Sequence, residues 1–219
     1  MQQGLIRVLV VDDRSTVRRG LCAYFDTEPD IEVVGEADGG AEAVELARSL
    51  EPHVILMDLL MPDVDGVQAT AKILADNPGA RILVLTSFGS DDRLLAAIRA
   101  GVAGCLLKDG GPEELVEAVK RIACGGSVVA PAIAHRVLPE ITPESRPAVT
   151  KLSVEDRRVT RLLAVGLCDR EIGQRLGITA AAAGELVASI MDRLGLRGRA
   201  EAMLIEAAQV PETALETEL

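Results

Sequence analysis

HVILMDLLMPDVDG, residues 53–66, opens with an apolar run that ends on an acid, Asp58, and continues into a loop containing Pro62 and Gly66. The run is too short for a helix and has the near-continuous apolar character of a strand covered on both faces. Four other segments share it: IRVLVV (Ile6–Val11), IEVVGEA (Ile31–Ala37), RILVLT (Arg81–Thr86) and GCLLK (Gly104–Lys108). Each is followed by a stretch with helical spacing. Five strand-helix units predict a doubly wound, five-stranded parallel sheet with helices on both faces, an α/β domain over residues 1–125. Pro112, at a first-turn position with Glu113 and Glu114 behind it, opens the last helix of this domain, which is expected to end near CGG, residues 124–126.

Beyond that point the pattern loosens. Pro139, Pro143 and Pro147 mark residues 126–150 as a linker. Only helical stretches follow: SVEDRRVTRLLAVG, CDREIGQRLG, TAAAAGELVASIMDRLG and GRAEAMLIEAAQV, which predict a small all-α, four-helix domain over residues 151–210. The acidic end, residues 211–219, reads as a frayed tail.

Composition limits what the two domains can do. The net charge of -11 opposes a protein that coats nucleic acid generally, so any DNA contact must be local. Aromatic residues make up 1% of the chain, which argues against base stacking as a binding mode. Cys22, Cys105, Cys124 and Cys168 form no C-x-x-C pair and read as small core residues in a reducing compartment. No apolar segment approaches the length of a membrane span, and the expectation is a cytoplasmic protein without a membrane partner.

Chemistry-bearing residues collect at the carboxyl ends of the strands. Asp12 and Asp13 follow the first, Asp58 ends the third, Thr86 the fourth and Lys108 the fifth. In an open α/β sheet these ends converge where strand order reverses. Three carboxylates held together repel one another unless a cation neutralises them, and an all-oxygen set suits a hard ion such as Mg²⁺. Asp58 can then attack a phosphoryl group while the Lys108 ammonium and the Thr86 hydroxyl meet its oxygens.

The motifs VLVVDD, ILMDLLMPDVDG, VLTSF and GCLLKD resemble the flavodoxin-like receiver domain of two-component response regulators of the NarL/FixJ type, over residues 5 to about 125. The resemblance implies that Asp58 is the phosphoacceptor for a sensor histidine kinase. It further implies that Asp12, Asp13, Asp58 and the backbone carbonyl of Leu60 hold Mg²⁺, with Thr86 as switch hydroxyl and Lys108 on the phosphoryl group. It implies a homodimer on activation. One position departs from the family: three residues before Lys108 stands Cys105 in place of the usual Tyr or Phe. Three readings stay open: a weaker or rerouted activating change, an ordinary small core residue with Phe88 covering the gap, or a redox role for the thiol, against which stands the lack of a thiolate activator nearby in sequence. Phosphatases with an aspartyl nucleophile carry a second Asp two residues on, and here Leu59 and Leu60 follow Asp58, so a regulator rather than an enzyme is expected.

The second domain resembles the LuxR-type helix-turn-helix. LSVEDRRVTRLLAVGLCDREIGQRLGI matches its first half, with Ser153 and Asp156 spaced as a capping box, and MDRLGLRGRAEA its end. Between them lies the helix that should read DNA. Ala183, Val187, Ile190 and Leu194 follow core spacing, while Ala181, Gly184, Glu185, Ala188 and Asp192 share the opposite face. By resemblance Gly184, Glu185 and Ala188 occupy the DNA-contacting positions, with Arg170 and Arg199 as further candidate contacts. A glycine, an acid and a methyl group are poor replacements for a phosphate-binding cation, although Glu can accept from cytosine and Ala can touch a thymine methyl. Two output readings therefore remain: a transcription regulator with a weakened base code, or an output domain that binds a protein partner.

Overall fold

The first half of the chain alternates strand and helix: β1 (Ile6–Val11), α1 (Ser15–Phe25), β2 (Ile31–Ala37), α2 (Gly40–Leu50), β3 (Val54–Asp58), α3 (Gly66–Asp76), β4 (Ile82–Thr86), α4 (Asp91–Ala100), β5 (Gly104–Leu107) and α5 (Pro112–Ala123). The structure, a computed structural model, describes residues 4–62, 64–87, 91–140 and 153–207. The strands lie parallel in the order β2-β1-β3-β4-β5, with one more strand beyond β5. β3 and β4 are buried at every residue because helices cover both sides of them, which is why their sequences show no polar alternation. Truncating a fully buried Leu56 to Ala in such a layer costs about 2–5 kcal/mol.

The chain winds outward from β1 to β2, then returns to place β3 on the other side of β1. The reversal opens a crevice at the carboxyl ends of β1 and β3. Gly66, the first residue of α3, holds the loop after β3 against the strand: a Cβ there would overlap the Asp58 carbonyl. α5 begins as expected, with Pro112 in its first turn, Glu113 and Glu114 behind it and Lys120 and Arg121 in its last turn, a charge order that complements the helix dipole.

The segment from 126 to 140, read above as the start of the linker, instead completes this domain. β6 (Val128–Val129) pairs parallel with β5 and makes the sheet six-stranded rather than five-stranded. α6 (Pro131–Val137) follows, with Ile133 and Val137 buried in the core, and a 3₁₀ turn ends at Glu140. Pro131 begins α6 as Pro112 begins α5. Prolines in this stretch thus start helices as well as break them. Residues 141–152 of the expected linker and the tail 211–219 lie outside the described residues.

The second domain comprises α7 (Val154–Ala164), α8 (Asp169–Leu176), α9 (Ala180–Arg193) and α10 (Arg199–Ala207). The capping box forms: Ser153 Oγ accepts the Asp156 N–H, and the Asp156 carboxylate accepts the Ser153 N–H. Arg193 at the end of α9 grips the same carboxylate at 2.7 and 3.1 Å, joining α7 to α9. Those bonds hold Asp156 at about 2, well below the usual carboxylate range. Val159, Leu163, Ile172, Ala183, Val187, Ile190 and Leu194 form the core, the face of α9 expected from its spacing.

The domains touch. Ala200, Leu204 and Ile205 of α10 join the apolar core of the first domain, and Gly101 and Gly198 meet backbone to backbone. Beside them a groove of about 430 Å³ runs between Pro78–Arg81, Gly101 and Ala103 on one side and Gly184, Val187, Ala188, Met191 and Asp192 of α9 on the other.

Candidate metal and phosphoryl-transfer site

Asp12, the residue after β1, is 1% exposed and Asp58, the last residue of β3, is 4% exposed. Asp13 beside them faces solvent. One carboxylate oxygen from each of the three lies within 4.8 Å of the others. Lys108, just beyond β5, places Nζ 2.5 Å from Asp12 Oδ2 and 2.5 Å from Asp58 Oδ2. Buried charges of this kind persist only when paired.

Backbone geometry fixes the remaining oxygens. The Leu60 N–H donates to Asp58 Oδ1 at 3.1 Å, and the Arg14 N–H donates to Asp12 Oδ1 at 2.9 Å. Arg18 Nη1 donates to the Asp12 carbonyl at 2.6 Å, anchoring the start of the loop. Arg14 and Arg18 were not anticipated; their positions two and six residues after Asp12, at the start of α1, were the available signal. Thr86 ends β4, is 2% exposed and donates its hydroxyl to the Ser87 carbonyl at 3.1 Å. A cleft of about 360 Å³, lined by Arg14, Val17, Ser87, Lys108 and Asp109, opens the Lys108 side to solvent.

Charge decides what this set can bind. Three carboxylates against one ammonium leave a formal excess of two negative charges, with the Arg14 guanidinium half exposed at 3.5 Å from Asp12 Oδ1. The donors are oxygens only, so the cluster suits a hard divalent cation. Of the expected metal ligands, Asp12, Asp13 and Asp58 are brought together, and Leu60 contributes its N–H to Asp58.

Cys105 lies in β5 at 0% exposure, opposite Val84 on one side and Val129 on the other. Burial pushes its thiol far up. Phe88, expected to cover the gap, lies outside the described residues.

The candidate DNA contacts separate into three environments. Glu185 and Ala188 are exposed on the outer face of α9, together with Ala181 and Asp192. Gly184 is half-buried, and the Asp169 carboxylate would stand 3.3 Å from a Cβ placed on it. Arg199 bonds the Asp169 carboxylate in a short ion pair with 16% of its side chain exposed, so it ties α10 to α8 within the second domain. Arg170 is exposed and has an interaction within the chain. Arg193, the single cation of α9, is held by Asp156.

Comparison with known proteins follows the same outline. Residues 8–120 match the response regulator receiver domain. Over 200 residues the chain is 37% identical to the transcriptional regulatory protein LiaR of Bacillus subtilis, covering 90% of this chain and 95% of that one. It is 36% identical over 199 residues to the response regulator protein VraR of Staphylococcus aureus, covering 91% and 95%. Among solved structures, the response regulator ChrA of a heme-sensing two-component system aligns over 94% of this chain and 98% of its own, with a TM-score of 0.55 and 31% identity. The receiver match and the near full-length alignments show that this chain belongs to the response regulators of two-component systems, of the NarL/FixJ type, a family of regulators rather than enzymes.

Proposed function

We propose that this chain receives a phosphoryl group on Asp58 from a sensor histidine kinase and thereby controls transcription, binding DNA as a homodimer in the cytoplasm. The observation that carries the reading is Lys108 bridging Asp12 and Asp58 at 2.5 Å each, at the sheet's switch point and beside an open cleft. Mg²⁺ is the cation that Asp12, Asp13 and Asp58 would hold, with the Leu60 carbonyl as a further oxygen; when bound it neutralises phosphoryl oxygens.

The chain's own residues supply the rest. An Asp58 oxygen bonds to phosphorus as the donor's N–P bond breaks, and the departing imidazole keeps the electron pair and takes a proton. Lys108, already 2.5 Å from Asp58 Oδ2, is placed to meet the incoming oxygens. The Thr86 hydroxyl has to leave the Ser87 carbonyl before it can donate to the phosphoryl group. Because Gly184, Ala188 and Asp192 line the groove against the first domain, docking of the whole face of α9 on DNA requires the domains to part.

A second reading, an output domain that binds protein, is favoured by one observation: the outer face of α9 carries Ala181, Glu185, Ala188 and Asp192, and the helix's one cation, Arg193, is held by Asp156. Binding to genomic DNA fragments at low and moderate salt, with and without beryllofluoride as phosphoryl mimic, separates the two. Regulated DNA binding requires affinity that rises with the mimic; affinity absent at low salt in both states contradicts it and leaves the protein-binding output.

A further inference from the structure

Cys124 caps the carboxyl end of α5 in the first domain, and Cys168 caps the amino end of α8 in the second. The segments that carry them run against each other. The Ser127 N–H donates to the Gly166 carbonyl at 3.3 Å, a Cβ on Gly126 would lie 2.8 Å from the same carbonyl oxygen, and one on Gly125 would lie 2.8 Å from Asp169 Oδ2. Contacts just after Cys124, with Gly166 before and Asp169 after Cys168, therefore hold the two stretches of backbone together. The Cys124 thiol donates to the Arg121 carbonyl at 3.1 Å, and the Cys168 thiol lies close enough to add to the effect of burial in pushing the Cys124 thiol up. All four cysteines are free, and the other two are placed apart: Cys105 is enclosed in the sheet, and Cys22 sits on α1 beside Glu36.

We propose that Cys124 and Cys168 are an oxidation site, forming a reversible disulfide that ties the receiver domain to the output domain. Cys124 is partly exposed and Cys168 is 3% exposed, so a hydroperoxide reaches Cys124 first. The Cys124 sulfur, as thiolate, attacks the peroxide oxygen; the O–O bond breaks, leaving a sulfenic acid and hydroxide. The Cys168 sulfur then attacks the Cys124 sulfur, water departs, and the S–S bond closes. In sum, two thiols and hydrogen peroxide give one disulfide and two waters.

Rate is the distinguishing property of this site. Burial, and secondarily the Cys168 thiol, push the Cys124 thiol up to about 11. Little of it is thiolate at neutral pH, so oxidation is slow there and accelerates about tenfold per pH unit on approach to that value. The tie thus records sustained oxidant exposure. Its effect on output rests on the proposed DNA-binding reading: a covalent tie at this boundary keeps α9 facing the groove, so the phosphoryl mimic no longer raises DNA affinity until dithiothreitol is added.

The site itself is tested without DNA. Full-length protein is treated with hydrogen peroxide, free thiols are blocked with N-ethylmaleimide, and an unreduced tryptic digest is mapped. The expected product is monomeric, lighter by two hydrogens, with the peptide spanning residues 122–136 joined to that spanning 162–170. Cys124→Ser and Cys168→Ser each abolish the joined peptide, and Cys168→Ser accumulates a dimedone-reactive sulfenic acid on Cys124. Recovery of both cysteines as blocked thiols after prolonged oxidation at alkaline pH overturns the proposal. So does Cys124 found joined to a second chain. Mapping of the unsubstituted protein decides the matter even if a serine variant folds poorly, and loss of the DNA response alone counts against the DNA reading, leaving the disulfide standing.

Discussion

Replacing Gly198 with alanine should open the boundary between the domains. A Cβ on Gly198 would lie 2.5 Å from the Gly101 carbonyl carbon and 2.7 Å from its Cα and oxygen. Ordinary contact begins near 3.4 Å, so the two backbones must separate by about 0.9 Å, the difference of 3.4 and 2.5. The obstacle is backbone on both sides, and no rotamer change relieves it. Overpacking of this kind costs about 1–3 kcal/mol, which corresponds to about 5–150-fold in an equilibrium between closed and open forms. Gly198 does not occupy the left-handed region, so alanine fits its local backbone; Gly101, at φ +111°, would add strain and gives the less direct test. Hydrogen exchange of the α10 amides should accelerate by that factor while the amides of α8 keep their protection. DNA affinity should rise by up to the same factor, because the competent fraction of molecules grows. Unchanged α10 exchange together with unchanged DNA affinity would refute the argument that this contact keeps the domains closed.

Three further outcomes follow from particular residues. Leu60 is 43% exposed beside Asp58 and cannot orient water, so phosphorylated Asp58 should be long-lived and Leu60→Asn should hasten its decay; an unchanged decay rate in a mass-spectrometric time course argues against this. Gly184→Lys with Glu185→Thr should steepen the dependence of log DNA affinity on log salt by about 0.9 for each phosphate gained. The same lysine would meet Asp169 in the closed form, so a titration showing no added slope even with the phosphoryl mimic favours the protein-binding output. Asp156, held at about 2 chiefly by Arg193 and then by Ser153, contributes stability that is complete above the ordinary carboxylate range and is lost as pH falls toward about 2. Melting of the second domain followed by circular dichroism should be acid-sensitive in the unsubstituted protein and flatter with pH in Asp156→Asn.

The grouping of Asp12, Asp13, Asp58 and Lys108 could be seen in the sequence because a parallel sheet puts every strand's carboxyl end on one edge, so chain position alone predicts their convergence. Core spacing of α9 was legible for a similar reason, since Ala183, Val187 and Ile190 follow one helical period. The two-residue strand β6 was not, because Val128–Val129 is too short for alternation and acquires meaning only from pairing with β5. Arg199 looked like a candidate DNA contact because its partner Asp169 is 30 positions away and meets it only through tertiary packing. The cysteines escaped for the same reason: a search for local pairs cannot register two thiols that belong to different domains.

The most direct test of phosphotransfer is intact-mass measurement after exposure to acetyl phosphate with Mg²⁺. The clustered Asp12, Asp13 and Asp58 with Lys108 require a single phosphoryl adduct, dependent on Mg²⁺ and absent in Asp58→Asn. An adduct that persists in Asp58→Asn, or none in the unsubstituted protein under conditions that label another receiver domain, would contradict the assignment of Asp58 as phosphoacceptor.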